Sequence, residues 1–130
     1  MPPCSRPKMK TIDTPLFVKT HDFIVWLFRH TMRFPKNLRH SLSLKLENCA
    51  LEFEHALLKA NAARDERRAG LLEEADGQLL FLRALLRLAL DFQLLATNQV
   101  HFAAEKIDEL GRLLGAWKKG VDRKLPARSV

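Results

Sequence analysis

Two arginines, Arg83 and Arg87, are one helical turn apart, and this spacing suggests a binding site for a negatively charged group. They lie in the most apolar run of the chain, LLFLRALLRLALDFQLL, where an unpaired charge would be costly to bury. Two interpretations are open. Arg87 pairs with Asp91 at the rim of a contact between subunits, or both arginines form an exposed basic stripe for phosphates or a partner protein.

Basic residues are also concentrated near the end of the chain. Residues 112–130 contain six basic side chains and one acidic side chain, whereas residues 41–111 contain eight and twelve. Cations near a helix C-terminus interact favourably with the helix dipole, but six basic side chains exceed what that effect needs. The sequence therefore predicts that the end of the chain and the basic residues between the second and third helices together form a phosphate-binding surface. The residues of this predicted surface are Arg64, Arg67, Arg68, Lys118, Lys119, Arg123 and Lys124. No aromatic platform accompanies these residues, so contacts to bases are not predicted.

Patterns typical of catalysis or metal binding are incomplete. A di-metal site in a helix bundle needs two Glu-x-x-His pairs, and only one such pair exists, Glu52 with His55. No glycine-flanked serine or phosphate-binding loop is present, and Cys49 lies in an apolar pattern where a thiol is unreactive. We therefore expect no catalytic residues, no metal and no cofactor.

Hydrophobic periodicity predicts four helices in the 130 residues. The first follows a Thr14 cap and Pro15 and stops at Pro35, and the second is capped by Asn37 and extends to the polar segment 61–68. The third covers about 66–95. The fourth is capped at Thr97 or Asn98, weakened at Gly120 and ended before Pro126. Strand signals are scarce, and the fold class is all-α.

Short connections between long helices favour an up-down-up-down antiparallel four-helix bundle. We assign residues 14–122 to this bundle, 1–13 to a flexible basic leader and 123–130 to a basic tail. The third helix is apolar on nearly every side, which predicts that part of it is buried against another subunit. Gly111 and Gly115 lie on one side of the fourth helix, and they are interpreted as a notch that lets a neighbouring helix approach closely.

Three segments together resemble the accessory variability determinant (Avd) proteins of diversity-generating retroelements. The third helix contains an L-R-x-x-L-R motif at Leu82-Arg83 and Leu86-Arg87, and the fourth contains G-R-x-L-G-x-W followed by V-x-R-K. The segment FPKNLRHSLSLKLENCALEF fits the family's Pro-Lys/Arg turn and its apolar continuation. The resemblance covers about residues 15–124, and the motif in the fourth helix is the most specific part.

The resemblance implies a subunit of a barrel-like homopentamer that binds the reverse transcriptase of the element. It also implies binding of template RNA and DNA through a basic surface, in support of error-prone cDNA synthesis and mutagenic retrohoming. The family's motif arginines correspond here to Arg83, Arg87 and Arg112. The basic leader and the acidic patch of Glu73, Glu74 and Asp76 depart from the family's pattern, so the position of the partner contact stays open.

A second function class also stays open. Related four-helix-bundle proteins encoded in ribosomal intervening sequences share the fold and the oligomeric habit, and this chain could similarly be a structural interaction protein without a nucleic-acid role. The net charge of +7 and the basic tail favour the Avd interpretation. The N-terminus lacks a secretory apolar segment and no apolar run reaches membrane length, so a cytoplasmic protein is expected.

Overall fold

A computed structural model describes residues 14–124 of the chain. They form four α-helices, α1 (Pro15–Thr31), α2 (Leu42–Ala62), α3 (Asp65–Asp91) and α4 (Thr97–Lys124), and a 3₁₀ turn at Lys36–Leu38. No strand occurs in this range, so the all-α prediction is confirmed. The leader and Pro126 lie outside the described residues, while Arg123 and Lys124, which were assigned to the tail, form the end of α4.

The helices pack around one hydrophobic core. Helix α1 contacts α2 and α4, and α3 contacts the same two helices, so that α1 and α3 lie diagonally across the bundle. Each helix contributes side chains that are almost completely buried, among them Leu27, Phe53, Leu57, Leu72, Leu82, Ile107 and Leu114. Burial of such a side chain stabilises the fold by about 1.5–3 kcal/mol. The packing of the four helices is that of a bundle.

The segment between α1 and α2 differs from the prediction. Helix α1 begins at Pro15 as expected but ends at Thr31, four residues before Pro35. Asn37 does not cap α2; it lies in the 3₁₀ turn, where the backbone N–H of Leu38 donates to the carbonyl of Pro35 over 2.9 Å. The prediction of an Asn37 cap was wrong because proline favours a tight turn directly after it, and α2 begins only at Leu42.

A Schellman motif ends α3 earlier than its apolar pattern indicated. Gln93 has a φ of 61°, and the N–H of Leu94 donates to the carbonyl of Ala89 over 2.8 Å while the N–H of Gln93 donates to Leu90 over 2.9 Å. The helix therefore ends at Asp91 and not at Leu95. Helix α4 already includes Thr97, and the N–H of Ala96 donates to the Gln99 side chain over 2.8 Å, so Thr97 and Asn98 are not the cap.

The glycines of α4 do not form the expected notch within this chain. A methyl group added at Gly115 would meet no atom within 4 Å, and one added at Gly111 would lie 4.0 Å from Leu79 Cδ1, an ordinary contact. Neither glycine is therefore required for the approach of a neighbouring helix in the bundle. Helix α4 also continues through Gly120 to Lys124 without interruption, because a helical glycine weakens a helix by only about 1 kcal/mol.

The outer surfaces of α2 and α3 carry large apolar side chains that no other element of the described bundle covers. Leu80 is 64% exposed and Phe92, directly after α3, is 67% exposed. The remaining exposed apolar residues of this surface, called here the α2–α3 apolar surface, are Leu44, Leu51, Leu58, Phe81 and Leu88. No helix among the described residues is long and apolar enough to cross a membrane.

Candidate nucleic-acid interface

The junction between α2 and α3 lies next to the last turns of α4. The guanidinium of Arg68 is 5.9 Å from the centre of the Trp117 ring, and its Nε donates to the carbonyl of Ala60 over 2.8 Å. Trp117 in turn packs on Phe17 of α1, with 6.1 Å between the ring centres. The structure therefore brings Arg68 to the end of α4, as the sequence indicated. There its contacts with Ala60 and Trp117 stabilise the α2–α3 junction against α4.

Lys118 is occupied by carboxylates of α3. Its Nζ lies 2.6 Å from Glu73 and 3.8 Å from Asp76. The hydrogen bond to Glu73, assisted by the charge of Asp76, raises the pKa of the Lys118 ammonium above its ordinary value. This lysine is therefore paired within the bundle, and a phosphate would have to compete with two carboxylates for it.

The other predicted cations at this end are exposed and form no ion pair among residues 14–124. They are Arg64 and Arg67 at the start of α3, and Lys119, Arg123 and Lys124 at the end of α4. Acidic residues alternate with them in the sequence, including Asp65, Glu66, Glu74 and Asp122. The end of the bundle that was predicted to bind phosphate thus has mixed charge.

The two arginines of α3 differ in their surroundings. Arg83 forms an ion pair with Asp108 of α4 across the surface. Arg87 is exposed, and within the described part of the chain it has no ion pair; the alternative pairing with Asp91 does not form. Arg112, the third motif arginine, is exposed on α4. Arg83 is thus partly neutralised, whereas Arg87 and Arg112 are open to solvent.

A second basic region lies at the junction of α1 and α2. Its five cations, Arg29, Arg33, Lys36, Arg39 and Lys45, are all exposed, and the sequence contains no acidic residue between Asp22 and Glu47. We call this set the α1–α2 basic region. The absence of acidic residues from this stretch could be read from the sequence, but the position of the five cations in the fold could not.

Three aromatic rings pack against one another where α1 meets the start of α4. The Trp26 ring is 4.1 Å from the ring of His30 and 5.3 Å from that of Phe102, measured between centres. Phe102 is 40% exposed, and His30 Nδ1 is 2.8 Å from the Trp26 carbonyl oxygen, so Nδ1 carries a proton in this contact. We call these three rings the aromatic platform. The sequence predicted no aromatic platform beside the basic residues at the end of α4, which is the other end of the bundle. The three rings could not be grouped from the sequence, because 72 or more residues separate Phe102 from the other two.

One carboxylate of α4 that borders the recess beside the aromatic platform is paired with lysines. Glu109 Oε2 lies 3.0 Å from Lys19 Nζ, and Glu109 Oε1 lies 4.0 Å from Lys106 Nζ. The hydrogen bond from Lys19 lowers the pKa of the Glu109 carboxyl below its ordinary value. Lys106 also lies 5.3 Å from the centre of the Phe102 ring, so positive charge adjoins the platform on this side.

No group of three or more potential metal ligands occurs among the described residues. Cys49 is 2% exposed, and its Sγ donates to the Gln78 backbone carbonyl over 3.2 Å. Burial raises the pKa of this thiol to about 11, and the charge of Glu52 adds to the effect. A thiol with this pKa is almost wholly protonated at neutral pH and a poor nucleophile.

Comparison with known proteins gives one family. A family model described as bAvd-like matches residues 16–121, which extend from the first turn of α1 to the last turns of α4. A search of curated proteins finds no match. The matched range contains Arg83, Arg87 and Arg112 as well as the aromatic platform and the α1–α2 basic region.

Proposed function

The chain belongs to the bAvd-like family, and on that premise we propose that it is a non-catalytic accessory protein of a diversity-generating retroelement. In this proposal it acts in the cytoplasm and binds a reverse transcriptase together with template RNA and DNA. The reverse transcriptase supplies the chemistry of mutagenic cDNA synthesis and retrohoming, and this chain supplies binding surfaces. The observation that carries the proposal is the family match over residues 16–121.

The distribution of charge supports binding of nucleic acid. The chain has a net charge of +7, and the exposed arginines Arg87 and Arg112 have no ion pair within residues 14–124. Exposed cations attract phosphates without regard to base sequence, and such contacts give most of the affinity of non-specific binding. We therefore propose backbone contacts by these arginines and by the unpaired cations Arg64, Arg67, Lys119, Arg123 and Lys124. Arg68, Arg83 and Lys118 belong to the same proposed surface but must exchange their present partners for phosphates.

The exposed apolar residues support assembly into a homo-oligomer. Monomeric proteins rarely leave a large continuous apolar patch in water, and the α2–α3 apolar surface includes Leu80 and Phe81 of α3 and Leu51 of α2. We propose that copies of the chain associate through this surface as a barrel-like pentamer, the assembly implied by the resemblance to Avd proteins. A reverse transcriptase would then bind the assembled barrel.

Residue pairs between helices support an antiparallel arrangement in each subunit. Glu73 of α3 pairs with Lys118 of α4, and Arg83 further along α3 pairs with Asp108 nearer the start of α4. Residue numbers therefore rise along one helix while they fall along the other. The same order is found for α1 and α4, where Phe17 packs on Trp117 and Trp26 packs on Phe102.

A salt titration tests the nucleic-acid role. The full chain is mixed with labelled single-stranded RNA and, separately, with duplex DNA, and the affinity is measured by fluorescence anisotropy between about 50 and 200 mM salt. If several phosphates are contacted, the logarithm of the affinity falls linearly with the logarithm of salt concentration, by about 0.7–0.9 per phosphate. Absence of binding at the lowest salt concentration would refute the proposed nucleic-acid role.

The α2–α3 apolar surface also favours a second candidate function. A structural protein of the ribosomal intervening-sequence type, which would hold another protein through this surface, needs no nucleic acid. Co-purification separates the two candidates. In the preferred function a reverse transcriptase encoded beside this chain binds it and the complex retains RNA, whereas in the alternative the chain associates with protein and binds RNA no better than a neutral control protein does.

A further inference from the structure

We propose that the aromatic platform stacks the unpaired bases of a single-stranded nucleic acid whose phosphates lie on the α1–α2 basic region. This inference rests on the proposed nucleic-acid role. It places a second binding site at the end of the bundle opposite the basic residues of α4. It also adds contacts to bases, which the sequence alone did not indicate.

The three rings of the aromatic platform form a partly exposed surface on which a base can stack. Trp26 lies between His30 and Phe102, with ring centres 4.1 and 5.3 Å away, and the planes are tilted by 33° and 38°. Phe102 is 40% exposed, and the rings of Trp26 and His30 are partly exposed beside it. An aromatic surface of this kind, open to water, accepts the face of any base, and stacking tolerates different sequences because every base has a π-face.

The cations of the α1–α2 basic region begin beside the aromatic platform. Arg29 follows Trp26 by three residues, so these two side chains lie on one face of α1, and Arg33 lies just after the end of the helix at Thr31. Lys36 and Arg39 extend the positive charge into the following turn. A row of cations that begins beside exposed rings matches the groove of single-strand binders, in which phosphates follow positive charge and bases stack on aromatics.

The acidic groups near this surface leave its positive charge dominant. Glu47 accepts a hydrogen bond from the Thr31 hydroxyl over 2.6 Å, and Glu109 is paired with Lys19. Asp22 lies one turn before Trp26 on α1 and faces the small recess that Trp26 and Phe102 border; it marks the end of the row of cations. Glu105 and Asp108 are exposed on α4, and Asp108 is paired with Arg83.

The platform also stays accessible in the proposed oligomer. It lies between α1 and α4, whereas the α2–α3 apolar surface lies between the other two helices, on the opposite side of the bundle. Subunits that associate through the α2–α3 apolar surface leave the aromatic platform facing solvent. A base stacked on the aromatic platform and the neighbouring subunits would then occupy different sides of each chain.

The fluorescence of Trp26 tests base stacking directly. The chain contains two tryptophans, so Trp117→Phe leaves Trp26 as the only one. A single-stranded RNA or DNA oligonucleotide should quench the emission of Trp26, because a stacked base approaches the ring. An abasic oligonucleotide with the same number of phosphates should bind about tenfold more weakly and leave the emission unchanged. Equal affinity and unchanged emission with both oligonucleotides would overturn the proposal; they are also the expected results if a protein segment or a second copy occupies this surface.

Substitutions at Phe102 separate stacking from general apolar contact. Phe102→Leu should weaken binding of the base-containing oligonucleotide about fivefold to tenfold and leave binding of the abasic one unchanged, whereas Phe102→Tyr should bind like the original chain. Phe92→Leu, at an exposed ring outside the platform, is the control and should have no effect. Circular dichroism verifies that each variant is folded. If Phe102→Leu and Phe102→Tyr bind equally well, the platform is not a stacking site; if no oligonucleotide binds to any variant at low salt, the proposed function itself has failed.

Discussion

Ion pairs determine which arginines of α3 can reach a phosphate. Arg83 is paired with Asp108, and Arg87 has no ion pair within residues 14–124. A cation must give up its carboxylate before it binds a phosphate, and that loss offsets part of the new interaction. The side chain of Arg87 is therefore the more available of the two, although both belong to the same sequence motif.

We predict that Arg87→Ala weakens RNA binding more than Arg83→Ala does. Each phosphate contact contributes about 0.7 to the slope of affinity against salt for a single strand, so Arg87→Ala should lower the slope by about that amount. Arg83→Ala should change it less. The measurement is the salt titration of each variant by fluorescence anisotropy, with circular dichroism to verify helicity.

Asp108→Ala is the matched control, because it releases Arg83 without removing a cation. It should strengthen RNA binding and raise the salt slope. An equal loss of affinity in Arg83→Ala and Arg87→Ala, with no gain in Asp108→Ala, would show that the ion pair does not regulate the availability of Arg83. A loss of helicity in either arginine variant would show a structural role.

The sequence could identify these residues but not their partners. The L-R-x-x-L-R spacing was sufficient to place both arginines on the surface of one helix, because the helical period is fixed. The partner of Arg83 is 25 residues away on α4, and such a pair depends on how two helices are aligned. The only pairing that helical spacing could suggest, Arg87 with Asp91, does not form in the described residues.

At the scale of helices, Gly115 is a position where the sequence of α4 is not optimised for stability. We predict that Gly115→Ala stabilises the fold by about 0.8–1 kcal/mol, because alanine is the better helix former and the added methyl group meets no atom within 4 Å. Urea denaturation followed by circular dichroism measures the change. Gly111→Ala, where the methyl group would lie 4.0 Å from Leu79 Cδ1, is the comparison and should stabilise by a similar amount.

The opposite result would be informative about assembly. If Gly115→Ala lowers the stability of the oligomer but not of the dissociated chain, a neighbouring subunit packs at this glycine. The notch that the sequence indicated would then exist between chains and not within one. A loss of stability in both forms would contradict the open space around Gly115.

The helices themselves could be predicted, and their ends only in part. The apolar periodicity of about 3.6 residues gave all four helices, because one face of each must reach the core. The ends depend on local competition. Pro35 directs the next residues into a 3₁₀ turn, and Gln93 adopts a left-handed φ that usually belongs to glycine; neither outcome is determined by residue type alone.

At the scale of the whole molecule, the high apolar content of α3 predicted an exposed apolar surface better than any single motif did. Helix α3 is too apolar for one neighbour on each side to cover, and Leu80 and Phe81 are indeed exposed on it. The aromatic platform could not be predicted in this way. Trp26 and His30 are separated from Phe102 by two intervening helices, and only the packing of α4 beside α1 brings the rings together.

The exposed surface leads to a prediction about assembly. Leu80 is 64% exposed in the single chain, so Leu80→Lys should leave the subunit folded while it places a charge in the proposed contact between subunits. Burial of an unpaired charge is costly, and the oligomer should therefore dissociate to 15.0 kDa chains. Native mass spectrometry or light scattering measures the mass, and circular dichroism verifies that helicity is retained.

The control is Val18→Lys, which adds the same charge at an exposed aliphatic residue of α1, outside the α2–α3 apolar surface. It should leave the oligomer intact, because α1 lies diagonally opposite α3 in the bundle. If the two substitutions dissociate the oligomer equally, general charge repulsion is the cause. If the unsubstituted chain is already a stable 15.0 kDa monomer, the α2–α3 apolar surface binds another protein, and the structural interaction function becomes the better account of this chain.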